Sequence, residues 1–391
     1  MCDQPVYALT KEIQFRKPEL FGNNQYFSLM GGLHIEHCLL SIHGELIKGS
    51  GLYEILANSG LSIIGTGAVV NANHIKQARY CLQVSLCAIY VKLKEACSKS
   101  GSNASPLEWL NDRKKDSQMC FYWDMIFYLQ IDILVYVRAI REGNFKVYIV
   151  ILKRLMKWPF GMDHYHYARW CSVQLMDLIQ LKNTYPDVYK EFSRGHFSFQ
   201  KSGRPFSKMS PDQLHEQNNE IIKGTSGATH LLNRHDKSGL ERWELCAHEI
   251  SRILTEIETS FDTNCSEASK VKHHEDTPSF QNRFSSDVKR VIDGVIYNPF
   301  ELGSLTKINN TNVIFPDNVF KDLSNVLDVG QKKFVTFWND RLVEAKIPVD
   351  DLIKKILLLI PGKYEEKRKE KQKKLIYSND AMNKLRAGVE V

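Results

Sequence analysis

The sequence lacks most signatures from which a function can be read directly. No glycine-rich loop fits a nucleotide-binding fingerprint, because Gly65-Thr-Gly67 is too short to wrap a phosphate. No serine or cysteine stands in a nucleophile elbow, and no convincing internal repeat occurs. No two cysteines have CxxC spacing, which removes the zinc-ribbon and dithiol classes. The nine cysteines (Cys2, Cys38, Cys81, Cys87, Cys97, Cys120, Cys171, Cys246 and Cys265) are an odd number scattered through apolar stretches. That is the pattern of reduced, buried thiols, not of a secreted disulfide framework. Met1-Cys-Asp-Gln-Pro5 carries neither the basic nor the apolar region of a signal peptide. No apolar run reaches the roughly 20 residues that span a bilayer. The longest, Met119 to Ala139, is broken by Asp124, Gln130 and Asp132 and reads as a buried core helix. The expectation is an intracellular protein without membrane association, nuclear in preference to cytoplasmic.

What is present is an ordinary globular composition. The 391 residues are 43% hydrophobic and 25% charged, too apolar for wholesale disorder and long enough for two or three compact units. The balance of 52 Lys+Arg against 45 Asp+Glu gives +7, which is compatible with a polyanionic partner and does not demand one.

Along the chain, an amphipathic stretch from Pro5 to about Phe15 is followed by Tyr26 to Met30, which the pattern predicts as a short buried strand. Gly31-Gly32 and a helix from His34 to about Lys48 come next. Strand, glycine turn and helix together make an α/β signature. From residue 71 to 195 apolar residues recur at three- and four-residue spacing over Asn73–Ser98, Met119–Arg141, Phe145–Trp158 and Asp163–Asn183. His196 to Gln200 alternates like a strand, and Ser210-Pro211 is a capped helix start. A further amphipathic helix is expected over Gly239–Phe261 and a polar linker over Asp262–Ser285. The resulting division is 1–60 partial α/β, 61–195 helical, 196–262 the two later helices, 263–285 linker, 286–360 a smaller helical unit and 361–391 a charged tail. That tail contains Lys363 to Lys374, which suits a nuclear-import signal or a solvated charged helix equally.

The most informative segment is Asp212 to Asn219. Asp212, Glu216 and Glu220 fall at i, i+4 and i+8, so three carboxylates share one helix face. Their repulsion, roughly 0.2–0.5 kcal/mol per pair, calls for a divalent cation, a lysine such as Lys208 or Lys223, or plain solvent. His215, Gln217, Asn218 and Asn219 add hydrogen-bonding side chains where a structural helix would carry apolar ones, which points to function. His34 and His37 share a face with Cys38 and Glu36 close by, but without a second clustered pair a structural histidine is the better reading. Asp163-His-Tyr-His-Tyr-Ala-Arg-Trp170 groups aromatics with His166 and Arg169, types that stack on bases or bridge to phosphate. The same pattern equally describes an aromatic core helix with a buried Arg–acid pair.

Asp3 to Gln14, Gly31-Gly-Leu-His-Ile-Glu36, Tyr136 to Gly143, His166 to Trp170 and Asp212 to Lys223 resemble a family of uncharacterised, often fragmentary invertebrate proteins with the look of mobile-element genes. The resemblance extends from Asp3 to about Ile360. Its layout is similar to RNase H-fold transposases of the Mutator-like and hAT-like kind. It implies an incomplete RNase H-like core, a large all-helical insertion and a smaller C-terminal helical unit, mainly α with a small α/β part. Asp3 stands at the second acid, His34 at the histidine of a Cys-x-x-His-like motif whose cysteine position is Gly31, and Glu216 at the last acid, with Asp212, Asn218 and Asn219 supporting the motif. In an active enzyme Asp3 and Glu216 would help to hold two Mg2+ or Mn2+ ions. The strand expected to bear the first acid is not found, so the resemblance implies a catalytically impaired derivative; weak binding of double-stranded DNA is expected, with His166, Arg169 and Lys223 the candidate contacts by residue type. The alternative is a helical protein–protein interaction module with no nucleic-acid role.

Overall fold

The computed structural model describes residues 2–22, 25–61, 75–200, 202, 205–223, 277–301, 308 and 317–343. It is mostly helical, with very little strand. Two compact units are distinguished, Met1–Val335 and Thr336–Val391. In the second, the described residues comprise the end of one helix and a π-helical turn, Trp338–Val343.

The first unit opens with helices α1 (Gln4–Arg16), α2 (Pro18–Phe21), α3 (Gly32–Ile47) and α4 (Leu52–Asn58). Asp3 starts α1 by accepting from the Val6 amide at 3.2 Å, which satisfies one of the donors that a helix start leaves open. Helices α5 (Ile75–Lys99), α6 (Pro106–Arg113), α7 (Gln118–Glu142), α8 (Phe145–Leu155), α9 (Lys157–Gly161), α10 (Tyr165–Thr184) and α11 (Pro186–Ser193) follow. Their ends obey local chemistry. Ser105 and Glu108 form a capping box at α6, Ser117 and Asn144 cap α7 and α8, and Gly143 closes α7 at φ 71°.

Helix α7 is long and apolar enough to cross a membrane by length and composition, and its apolar window is mostly buried inside the protein. Trp123, Ile126, Leu129, Ile133 and Tyr136 are fully buried there, each such side chain contributing on the order of 2 kcal/mol. The polar residues that interrupt the run all have partners. Asp124 pairs with Lys114 at 3.0 Å, Asp132 with Arg154 at 2.8 Å, and Gln130 bonds His43 and Ser85 at 3.0 Å each.

Beyond α11 a hairpin of two short strands, β1 (Phe199–Gln200) and β2 (Lys208–Met209), pairs antiparallel and leads into α12 (Pro211–Lys223). Helices α13 (Pro278–Gly294) and α14 (Asp317–Phe337) complete the described chain. Where α14 approaches α9, a side chain at Gly330 would strike the Lys157 carbonyl, so the two helices meet backbone to backbone.

Three expectations need correction. The strand predicted over Tyr26–Met30 is a single parallel bridge, Cys2 to Met30, with Cys2 N–H on the Leu29 carbonyl at 3.1 Å and Gly31 N–H on the Cys2 carbonyl at 2.6 Å. Pairing stops there because Asp3 at once begins a helix. The strand over His196–Gln200 shrinks to Phe199–Gln200, since residues before it are spent in a turn. The predicted linker contains the first half of α13, which Thr277 caps through the Phe280 amide; this helix packs against α5, with Tyr80 donating to Asp287 at 2.6 Å. The helix expected over Gly239–Phe261, the linker up to residue 276, Asp350–Ile360 and the tail from residue 361 lie outside the described residues.

Candidate functional site: a two-helix junction and its basic groove

Helix α3 begins with Gly31 and Gly32, which bring no side chain to its open amides. The acceptors come from the far side of the chain. Ser210 Oγ takes the Gly32 N–H at 3.0 Å, and one carboxylate oxygen of Asp212 takes those of Leu33 and His34 at 2.9 and 3.2 Å. The same oxygen lies 3.0 Å from His34 Nδ1, and the second accepts from the Ser210 hydroxyl. Asp212 is 4% exposed. It also sits in the first turn of α12, so the N-terminal ends of two helices converge on one carboxylate, where both macrodipoles favour negative charge.

Burial pushes the Asp212 carboxyl up, but hydrogen bonds from His34, Ser210 and the two amides outweigh it and hold the group below the usual carboxylate range. His34 is raised, first by its hydrogen bond to Asp212, against desolvation, with further help from the charges of Asp212, Asp3 and Glu216. Asp3, Asp212 and Glu216, spread over more than 200 positions of sequence, are thus within electrostatic reach of the His34 imidazole.

Of the compensations that the spacing left open for Asp212, a cation, a lysine or plain solvent, the described residues show none: backbone amides, His34 and Ser210 take that part. Asp212 is a buried cap; Glu216 is exposed, and the side chains of Asn218, Asn219, Glu220 and Lys223 lie outside the described residues. The cap also explains Gly31, which stands where the resemblance expects cysteine: a Cβ there would collide with the Asp212 carboxylate. Mg2+ or Mn2+ does not fit this arrangement. Both Asp212 oxygens already accept protein donors, Asp3 caps α1, and no group of three His, Cys, Asp or Glu among the described residues is placed to hold a metal ion. His34 and His37 have ring centres 6.4 Å apart, and the first is committed to Asp212.

Beside the junction lies a cavity of about 310 Å³, bounded by Gly32, Leu33, Lys76, Arg141 and Lys208 among others. Through Lys76, Arg79, Val137 and Arg141 it continues into a groove of about 1060 Å³ that adds Arg138, Arg283 and Arg290. Three acids temper this charge. Glu142 pairs with Arg138 at 2.6 Å. Glu36, 2% exposed, holds Arg79 in a two-pronged pair at 2.5 Å, and Asp287 pairs with Arg290. Lys208 is turned partly inward, donating to the Gly195 carbonyl at 3.1 Å. No local spacing announces this groove, because it is assembled from α5, α7, the hairpin and α13. His166 and Arg169 are not among the residues that line it; His166 is exposed on α10 and Arg169 lies 5.8 Å over the Tyr165 ring.

A second cluster escaped the sequence reading. Cys38 Sγ is 3.7 Å from His164 Nδ1, and His164 Nε2 is 3.4 Å from Glu45. The order thiol, imidazole, carboxylate matches an activated nucleophile. Burial, however, pushes the Cys38 thiol up to about 12, against the thiolate that a nucleophile requires.

A family model, Domain of unknown function (DUF8702), matches residues 93–382, and the chain belongs to that family. No curated protein and no solved structure matches the chain. The matched span contains Asp212, Glu216 and the groove's Arg138, Arg141, Lys208 and Arg283, while Asp3, His34, Lys76 and Arg79 precede it.

Proposed function

We propose that this family member is a transposon-derived, RNase H-like protein, catalytically impaired, that binds double-stranded DNA weakly. The observation that carries the reading is the groove, in which Lys76, Arg138, Arg141 and Arg283 line one continuous surface. Cations are the means by which proteins hold phosphate. The layout of the junction lends further support. Asp3 and Gly31 each follow one member of a parallel bridge, and ligands of open α/β sheets gather at such carboxyl ends. In this reading the old acid helix survives because Asp212 now closes the start of α3.

Binding of a short labelled duplex, followed by anisotropy over a salt series, tests the proposal. Affinity is expected to fall steeply between roughly 50 and 200 mM salt. Absence of binding at the low end would sink the DNA reading. One observation favours the alternative, a helical interaction module: α1 exposes Val6, Leu9 and Ile13 at 48%, 58% and 49%, an apolar stripe suited to a protein partner.

A further inference from the structure

We infer that the wider groove prefers a single-stranded nucleic acid, whose unpaired bases it can stack, over a continuous duplex. This deepens the proposal above and relies on it only for the phosphate contacts. Two aromatic platforms, each with an arginine over it, line the same groove as the cations.

The first platform is Phe206, 39% exposed near the tip of the hairpin. Arg138 lies 5.7 Å from its ring centre. Its backbone has φ 57°, a left-handed conformation that is a genuine outlier for a bulky residue and persists only where the surroundings impose it. Arg141 imposes it in part, donating to the Phe206 carbonyl at 2.9 Å. The hairpin therefore holds a phenyl ring at the groove, where solvent reaches it.

The second platform joins α5 to α13. Tyr80 meets Phe280 and Phe284 edge to face at 6.2 and 6.0 Å, and Arg283 lies 5.4 Å from the Phe280 ring and 5.6 Å from that of Tyr80. The Tyr80 hydroxyl is fixed by Asp287, which is itself fixed by Arg290, so the ring's orientation is preset. Lys76 and Arg141 stand in the same lining.

A single arginine over an aromatic ring is common internal packing. Two such pairs lining one groove, with lysine and arginine in the same lining, have a narrower use. A duplex hides the faces of its bases, so for a duplex the cations alone would serve. A single strand offers those faces, and stacking on aromatic rings contributes about 1–3 kcal/mol per base without regard to sequence.

The test compares four labelled probes by anisotropy at one salt concentration: a single DNA strand of mixed sequence, its abasic analogue with all phosphates kept, the matching duplex, and an RNA strand of the same sequence. The base-bearing strand is expected to bind roughly tenfold tighter than the abasic one and tighter than the duplex; the RNA arm identifies the sugar preferred. Phe206→Ala and Phe280→Ala, checked for an unchanged melting temperature, should each weaken the base-bearing strand roughly tenfold and leave the abasic strand alone, whereas Lys76→Glu should weaken every probe. Abasic and duplex probes that bind as tightly as the base-bearing strand would overturn the inference while the DNA reading stands. No binding of any probe at low salt removes both.

Discussion

Of the three histidines on helix α3, His34 and His43, nine positions apart, lie in opposite circumstances. His34 stands at its first turn, half-buried, facing a carboxylate on which two helix starts converge. His43 lies inside the core, 6% exposed, with the Gln130 amide nitrogen 3.0 Å from Nε2. That nitrogen donates, so His43 Nε2 must accept, and the ring must be neutral. Burial with no anion beside it lowers the His43 pKa to about 4; a carboxylate partner raises that of His34 despite partial burial. Depth alone therefore does not set the charge of a histidine. What decides it is whether the fold supplies an anion, and here the anion arrives from a residue 178 positions away.

The comparison breaks most visibly if that anion is removed. Asp212→Ala leaves the Leu33 and His34 amides, the His34 ring and the Ser210 hydroxyl without their acceptor, inside a junction that water scarcely enters. Loss of a helix cap and stranding of buried donors together should cost about 2–4 kcal/mol, read from urea unfolding. Asp212→Asn, which keeps oxygen but not charge, should fall between alanine and the parent. If alanine loses less than about 0.5 kcal/mol, the range of an ordinary surface change, the junction is not what secures α3. The His34 ring should at the same time return towards an ordinary histidine titration.

The same comparison marks what the sequence could and could not disclose. Helices were legible wherever their start and stop are local. Ser117 and Gly143 bound α7, Asn144 opens α8, and Ser210-Pro211 opens α12, each within a residue or two of the periodic pattern. Thr277-Pro278 is the same kind of signal, and it went unread because the polar run before it masks the apolar spacing of Phe280, Phe284 and Val291. The helical character of the chain was therefore accessible, as was Asp212's place in a helix start. Its role was not, because the helix that it caps is not its own. Nor was the groove, whose Lys76, Arg141 and Arg283 come from three helices and share no spacing. Polar interruptions in α7 could be recognised as inconsistent with a plain apolar run, but their partners Lys114, His43 and Arg154 are contributed through the fold alone.

The next effect in size belongs to His43. Its folded pKa lies below the unfolded value of about 6.5, so between the two the unfolded chain binds a proton that the folded chain refuses. Stability from this group is complete above about pH 6.5 and declines as pH falls towards 4, by roughly 3 kcal/mol in all. Unfolding free energy followed across that window should show the slope, and His43→Gln should flatten it. A variant that keeps the full slope would assign the acid sensitivity to other groups.

The smallest effect sharpens the contrast, because it has the opposite sign. His34 has a raised folded pKa, so its contribution is complete below about pH 6.5 and is lost as pH rises through the folded value. The ring supplies one of four donors to Asp212, and a hydrogen bond of this kind contributes on the order of 1 kcal/mol. Replacing it in His34→Gln should therefore lower stability slightly near pH 6 and hardly at all well above the titration, whereas the His43 variant behaves in the reverse way. If both variants depended on pH in the same direction, the anion at the junction would not be governing His34. Titration of each imidazole by NMR would locate the error, since the His34 ring in the Asp212→Ala protein must then titrate as it does in the parent.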